Sequence, residues 1–269
     1  MPAHLEINGA PASAEQLLAA TTNYGHFTSL QVRNGCVAGL DLHLRRLDDA
    51  TRTLFGQPLD TVQLLDWLRD AVRRAGDRMI AAASVRMLVF PAHFNREQLA
   101  GQQPVAVLIS VAAAREHPQR AIRAQTRDYQ RDLPDVKHVA TFGLFWQRRL
   151  AQQAGYDDAL FVDARGGISE GSTWNIGFWD GERILWPRAA LLDGVTQQLL
   201  KKALVSVGVP SETRRIQRQD LVTLRGAFAC NSTGIQPIAA IDAREFGAQP
   251  ELLERLGRAY RGVIPDKLL

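Results

Sequence analysis

Only four residues of this 269-residue chain are lysines, Lys137, Lys201, Lys202 and Lys267, against 28 arginines. A guanidinium cannot lose its proton at working pH, whereas a desolvated lysine can, and its amine can then attack a carbonyl and form a Schiff base. Lys137 stands mid-chain in a polar loop and is the first candidate for that chemistry; codon bias would explain the count without any chemistry. On the helix expected from Leu40, the residues His43, Arg46, Leu47, Ala50 and Leu54 share one side, and Arg45, Asp49 and Arg52 the other. A cation within an apolar stripe is costly unless it meets an anion, so an anion is expected opposite Arg46; a structural salt bridge or snorkelling to solvent would also satisfy it. Gly194-Val195-Thr196 opens a helical pattern. A glycine turn with a hydroxyl at a helix N-terminus presents free N–H groups and the positive end of the dipole, a phosphate cradle, although an ordinary N-cap looks the same.

Glu170 follows the Gly166-Gly167 turn within Ser169-Glu170-Gly171-Ser172-Thr173-Trp174-Asn175, where small hydroxyl residues can hold a carboxylate rigid; a solvated turn glutamate is the alternative. Asn231-Ser232-Thr233-Gly234 follows an apolar strand and offers hydroxyls and amides for a second anion contact, or simply a capping turn. Gly167-Ile168-Ser169-Glu170-Gly171 matches the G-x-S-x-G nucleophile elbow in form. That motif needs a helix directly after it and a later histidine. The last histidine is His138 and the following residues read as a strand, so a hydrolase is excluded. No G-x-G-x-x-G, P-loop or H-E-x-x-H occurs.

Composition narrows the class. With 46% hydrophobic and 22% charged residues the chain is a globular protein with ample core. The longest apolar stretch, near Pro104 to Ala114, is about half of a membrane span, and no basic region with an apolar run opens the chain, so no signal peptide or membrane partner is expected. Cys36 and Cys230 are the only cysteines, far apart and outside any metal-ligand spacing, which suits a reducing cytoplasm. Net charge is +4, but the arginines are interspersed with acids and form no basic run with aromatics, so nucleic acid is not an expected partner.

The elements that must position these residues follow from periodicity. Leu5 to Ile7 meets Asn8-Gly9, and Ser29 to Val32 meets Arg33-Asn34-Gly35, both reading as hairpin turns. Helices are expected over Leu40 to Phe55 and Thr61 to Ala75, the second capped by Asp60 and stopped by Gly76. Strands follow at Ser84 to Phe90 and Val105 to Ala112. After the linker come a strand near Ala121 to Thr126, the loop that delivers Lys137, a helix over Thr141 to Ala154, a buried strand at Ala159 to Asp163 and a hairpin over Asn175 to Trp186. Helices from Thr196 and over Pro250 to Arg261 flank strands at Ala227 to Cys230 and Pro237 to Ile241. Hairpins mixed with helices, without regular βαβ alternation, predict two α+β domains: residues 1–112 and, after a linker over 113–120, residues 121–269.

Taken in order, these segments resemble the class IV, fold type IV, pyridoxal-phosphate enzymes: branched-chain and D-amino-acid aminotransferases and aminodeoxychorismate lyase. Phe27 to Gly35 through His43-Leu44-Arg45-Arg46-Leu47 is similar to the family's amino-terminal signature. Leu133-Pro134-Asp135-Val136-Lys137-His138 is similar to its lysine segment, and Gly155 to Asp163 through Ile168 to Ile176 to its most specific block. Gly194-Val195-Thr196 and the Asn231 to Pro237 turn complete the set. The resemblance implies a D-amino-acid-aminotransferase-like fold and pyridoxal 5'-phosphate as cofactor. It implies that Lys137 forms the Schiff base with the cofactor and shuttles the proton, and that Glu170 binds the pyridine nitrogen. Arg46, Val195 and Thr196 would hold the phosphate, with Ser232 or Asn231 adding contacts, and Arg86 would meet the substrate carboxylate. The expected activity is a cytoplasmic, homodimeric aminotransferase acting on an amino acid and a 2-oxo acid. An aminodeoxychorismate lyase releasing pyruvate and 4-aminobenzoate is the alternative, and a non-catalytic binding protein of the same fold the third reading. Where the aminotransferases carry a tyrosine five residues after the lysine, this chain has Phe142, and its Tyr24-Gly25-His26-Phe27 turn is shorter than the family's.

Overall fold

The computed structural model describes residues 3–116 and 120–269. Its helices are α1 (Ala14–Ala20), α2 (Leu40–Phe55), α3 (Thr61–Arg74), α4 (Asp77–Ala81), α5 (Phe142–Gln153), α6 (Val195–Ser206) and α7 (Pro250–Arg261). The strands of the first half are β1 (His4–Ile7), β2 (Ala10–Pro11), β3 (His26–Arg33), β4 (Cys36–Val37), β5 (Ala82–Pro91) and β6 (Val105–Ala113). Those of the second are β7 (Ile122–Asp128), β8 (Asp158–Val162), β9 (Ile168–Gly171), β10 (Asn175–Trp179), β11 (Ile184–Pro187), β12 (Ser211–Arg214), β13 (Gly226–Asn231), β14 (Gly234–Ile241), β15 (Arg244–Glu245) and β16 (Asp266–Lys267).

The chain divides into two compact units, one of Met1–Arg115, Val136–Ala140 and Pro265–Leu269, the other of Glu116–Asp135 and Thr141–Ile264. Two stretches expected in the second domain therefore pack with the first. Backbone hydrogen bonds are the cause: Phe27 N–H donates to Lys137 O at 2.9 Å, Val139 N–H to Gly25 O at 2.9 Å, and Asp266–Lys267 pairs with Cys36–Val37. The linker expected over 113–120 includes residues 117–119, which lie outside the described residues.

In the first unit the strands form an antiparallel sheet in the order β16-β4-β3-β5-β6-β1-β2. Asn34 and Gly35 take φ of 51° and 70°, the left-handed pair that a two-residue hairpin turn requires and that Asn-Gly supplies at little cost. One sheet face buries Leu30, Val32, Val85, Met87, Ile109 and Val111 against Leu47 and Phe55 of α2 and Leu64 and Leu68 of α3. Helix α3 starts at Asp60, whose carboxylate accepts the Gln63 N–H at 2.9 Å.

In the second unit, β9 pairs with both β8 and β10. The strands β10-β13-β14-β7-β8-β9 therefore close into a ring, which leaves these strands no open edge. Alternate residues, among them Leu160, Val162, Ile168, Ile176, Phe178, Ala227, Ala229 and Ile238, fill it. Strands β7 and β8 run parallel with α5 as their crossover, a single βαβ unit where the sequence suggested no regular alternation. Helices α6 and α7 cover β13 through Leu200, Leu204, Leu252 and Leu256 against Phe228.

Candidate functional site

Lys137 belongs to an extended stretch stitched to the start of β3 on both sides, by the two backbone bonds given above and by a bridge between His26 and His138. Its Nζ lies 4.9 Å from the centre of the Phe27 ring. The Arg86 guanidinium carbon is 3.6 Å from the same centre, so the candidate nucleophile and the candidate carboxylate partner share one aromatic ring as a cation–π platform. Of the other lysines, Lys201 Nζ lies 5.6 Å from the Trp186 ring centre, and Lys202 and Lys267 are exposed.

Helix α2 turns Leu47, Ala50 and the buried His43 inward, with the half-buried Arg46 on the same side. Arg46 Nη2 donates to Thr28 Oγ1 and, at 3.2 Å, to His43 Nδ1; Thr28 Oγ1 is itself 2.7 Å from that nitrogen. A second buried histidine, His26, is 3.0 Å from Thr51 Oγ1 through Nε2. The Thr51 hydroxyl gives its proton to Leu47 O at 2.8 Å, so His26 must be the donor and carries its proton on Nε2. Burial, and then the Arg46 charge, push the His26 pKa down to about 3. Burial followed by the Arg46 and Lys137 charges holds His43 well below the usual histidine range. Both rings are neutral, and Arg46 is the fixed cation beside them.

In the second unit Glu170 is a buried residue of β9 rather than a solvated turn glutamate. Its Oε1 lies 3.9 Å from Arg131 Nη1, both side chains being buried, and its Oε2 accepts the Leu192 N–H at 3.3 Å. The pairing compensates a charge that would otherwise be expensive to bury. Asn175, opposite Glu170 in the β9–β10 ladder, donates from Nδ2 to Leu192 O at 2.7 Å. A Cβ on Gly194 would overlap Asn175 Oδ1, so any other residue there would displace the Asn175 amide.

Helix α6 opens on Gly194 with no side-chain cap, and its first residues Val195, Thr196 and Gln197 are buried. A buried, uncapped helix start leaves N–H groups in need of an acceptor. Around it, Thr196 Oγ1 donates to Asn231 O at 2.8 Å and Asn231 Nδ2 to Thr173 O at 3.3 Å. Asn231 Oδ1 accepts from Thr233 N–H and Oγ1 at 2.9 and 2.6 Å. The half-buried Ser232 completes that turn. Two buried polar atoms of this neighbourhood, Ser172 Oγ and Gln197 Oε1, have no hydrogen-bond partner among the described residues. The uncapped helix start, the glycine cradle and the orphaned Ser172 hydroxyl suit a phosphate; the buried Glu170 carboxylate suits a protonated ring nitrogen. The donor set fits pyridoxal 5'-phosphate.

Of the residues anticipated from sequence, Lys137, Arg46 and Arg86 stand in the first unit, and Glu170, Val195, Thr196, Asn231 and Ser232 in the second. Sequence reasoning missed Arg131, which is one arginine among 28 with no pattern marking it as buried, and it missed Thr28 and Asn175, ordinary strand residues by pattern. Phe142 opens α5 as an exposed residue. The G-x-S-x-G stretch is strand β9, with Ser169 Oγ donating to Phe161 O at 3.3 Å, and no helix follows it directly.

The sequence model of the family described as Amino-transferase class IV matches residues 25–241. The branched-chain-amino-acid aminotransferase of Pseudomonas aeruginosa is 25% identical over 85% of this chain and 78% of its own. The aminodeoxychorismate lyase of Bacillus subtilis is 22% identical over 91% of this chain and 87% of its own. Among solved structures, the branched-chain aminotransferase of the thermophilic archaeon Thermoproteus uzoniensis, solved with norvaline, superposes with a TM-score of 0.85 at 20% identity. That match covers 96% of this chain and 93% of the other; a likeness at this identity establishes the fold.

Proposed function

The chain belongs to the class IV aminotransferase family of pyridoxal-phosphate enzymes, and on that premise we propose that it moves an amino group between a small amino acid and a 2-oxo acid. The bound cofactor supplies an aldehyde carbon and an electron-withdrawing pyridinium ring. Lys137 Nζ takes and returns the proton at the substrate Cα. Glu170, fixed by Arg131 and the Leu192 N–H, accepts the hydrogen bond of the ring nitrogen. Arg46 and the N–H groups of Val195 and Thr196 hold the phosphate, with Asn231 or Ser232 adding a contact. Arg86 binds the substrate carboxylate. The relatives' names put branched aliphatic donors first in a substrate screen.

The observation that carries this reading is the setting of Lys137, its backbone pinned on both sides and its amine 4.9 Å from the centre of the Phe27 ring that Arg86 also meets. Borohydride treatment of the cofactor-loaded protein is expected to fix the cofactor on the Lys137 peptide. Lys137→Arg keeps charge and fold, and should abolish that labelling and lower turnover by about 10³-fold or more. Labelling at another lysine, or native turnover in the variant, would discard the assignment.

Aminodeoxychorismate lyase is the second reading, favoured by Phe142 at the position where the aminotransferases have a tyrosine. Pyruvate release from aminodeoxychorismate without an amino acceptor would establish it over transamination. The free cysteines Cys36 and Cys230 support a reducing cytoplasm as the compartment, and the exposed aromatic face of α5 supports a homodimer.

A further inference from the structure

A guanidinium has only N–H donors, so with both Arg46 contacts as hydrogen bonds the triangle of Arg46, Thr28 and His43 takes one arrangement of protons. Arg46 gives N–H groups to Thr28 Oγ1 and to His43 Nδ1. The Thr28 hydroxyl then directs its own hydrogen to Nδ1 over 2.7 Å. A hydrogen on Nδ1 would face the Arg46 N–H, so that nitrogen carries a lone pair and the ring proton sits on Nε2. Burial of His43, together with the Arg46 and Lys137 charges, keeps the ring in this neutral form. A carboxylate at this place would orient the guanidinium equally well, but would also cancel the charge that attracts an anion.

We propose that His43 is a positioning residue for Arg46: with Thr28 it orients the guanidinium toward the cofactor phosphate as a neutral acceptor, leaving the positive charge for the phosphate. The assignment rests on the reading of Arg46 as a phosphate ligand. It explains why residue 43 is a buried histidine on the apolar side of α2, where leucine would satisfy the core.

The test is the affinity of the cofactor-free protein for pyridoxal 5'-phosphate and, separately, for inorganic phosphate, measured by equilibrium dialysis alongside thermal stability. His43→Leu removes the acceptor and should weaken both affinities on the order of tenfold, the scale of one charge-assisted hydrogen bond. His43→Asn restores an acceptor near Nδ1 and should return to within about threefold of native. His43→Asp supplies an acceptor with charge and should bind phosphate more weakly than His43→Asn at equal stability. Thr28→Val, close to isosteric, should also weaken binding and serves if the His43 variants do not fold. Native affinity in His43→Leu or Thr28→Val, or a folded His43→Asn as weak as His43→Leu, would overturn the positioning role while Arg46→Ala still loses binding. Native affinity in Arg46→Ala would overturn the phosphate reading and the positioning role together.

Discussion

His26 is nearly inaccessible, and its pKa falls from 6.5 to about 3 through burial first and Arg46 second. The sign of the consequence follows. Below pH 6.5 the unfolded chain takes up a proton that the folded chain refuses until about pH 3, so stability falls as the solution is acidified through that window. His43 acts in the same direction. Carboxylates whose pKa the fold lowers, such as Glu6 beside Arg74, lose their contribution only as pH drops below the ordinary 4.5. The interval from about pH 6.5 to 5 therefore isolates the histidines, at up to about 1.4 kcal/mol per pH unit for each. Urea unfolding across that interval should show the loss, and His26→Gln, which keeps an N–H for Thr51, should remove close to half of it; an unchanged slope would contradict a neutral His26. Such residues mark the limit of what sequence discloses. Lys137 stood out because arginine cannot do its chemistry, and Arg46 because charge on an apolar stripe needs a reason. His26, Thr28, Thr51 and Arg131 carry no such anomaly, since their roles arise from partners that only the folded chain brings near.

Elements were legible where local rules suffice. Helices α2 and α7 occupy the spans their periodicity predicts, and α3 begins at its Asp60 cap, because period, caps and stops are written within a few residues. The short strands β12 and β16 carry no pattern of their own, since such lengths take their conformation from the strand they meet, whereas the seven-residue α1 does carry a local signal, the Ser13–Gln16 capping box. The N-terminus of α2 shows how far that dependence reaches. Its N-cap position is Gly39, which has no side chain to offer. The missing cap comes from Asp266 in β16, whose Oδ2 accepts the Leu40 N–H at 2.8 Å, and the acid also complements the helix dipole. The helix that carries His43 and Arg46 is thus capped by the segment Pro265–Leu269. Asp266→Ala should cost about 1 kcal/mol, read as a lowered urea midpoint with unchanged slope, and Asp266→Asn should recover most of it. An Asp266→Ala midpoint equal to native would mean that solvent caps this helix as well.

At the scale of the whole molecule, the sequence conveys the α+β character and the closing order of motifs, but not the ring of β10-β13-β14-β7-β8-β9. Its decisive pairings join strands distant in sequence, and alternation tells a strand which face is buried without telling it which neighbour to choose. The same limit applies to the outer surface. Helix α5 exposes Phe142, Phe145 and Trp146 at 78%, 51% and 45%, spaced i, i+3 and i+4 on one side, with the Phe142 and Trp146 rings stacked 6.2 Å apart at 9°. A lone exposed apolar residue needs no explanation, but three clustered aromatics mark an association surface. A second copy of the same chain is the simplest partner, because a two-fold axis lets one aromatic patch meet itself and close the assembly. The native protein should sediment as a dimer at micromolar concentration. Phe145→Glu with Trp146→Glu, both half-exposed and outside the buried core clusters, should give a monomer with native helix content, the lost Phe142–Trp146 stack being a surface contact. A native chain that remains monomeric at every concentration, or a double variant that remains dimeric, would assign that aromatic face to another partner.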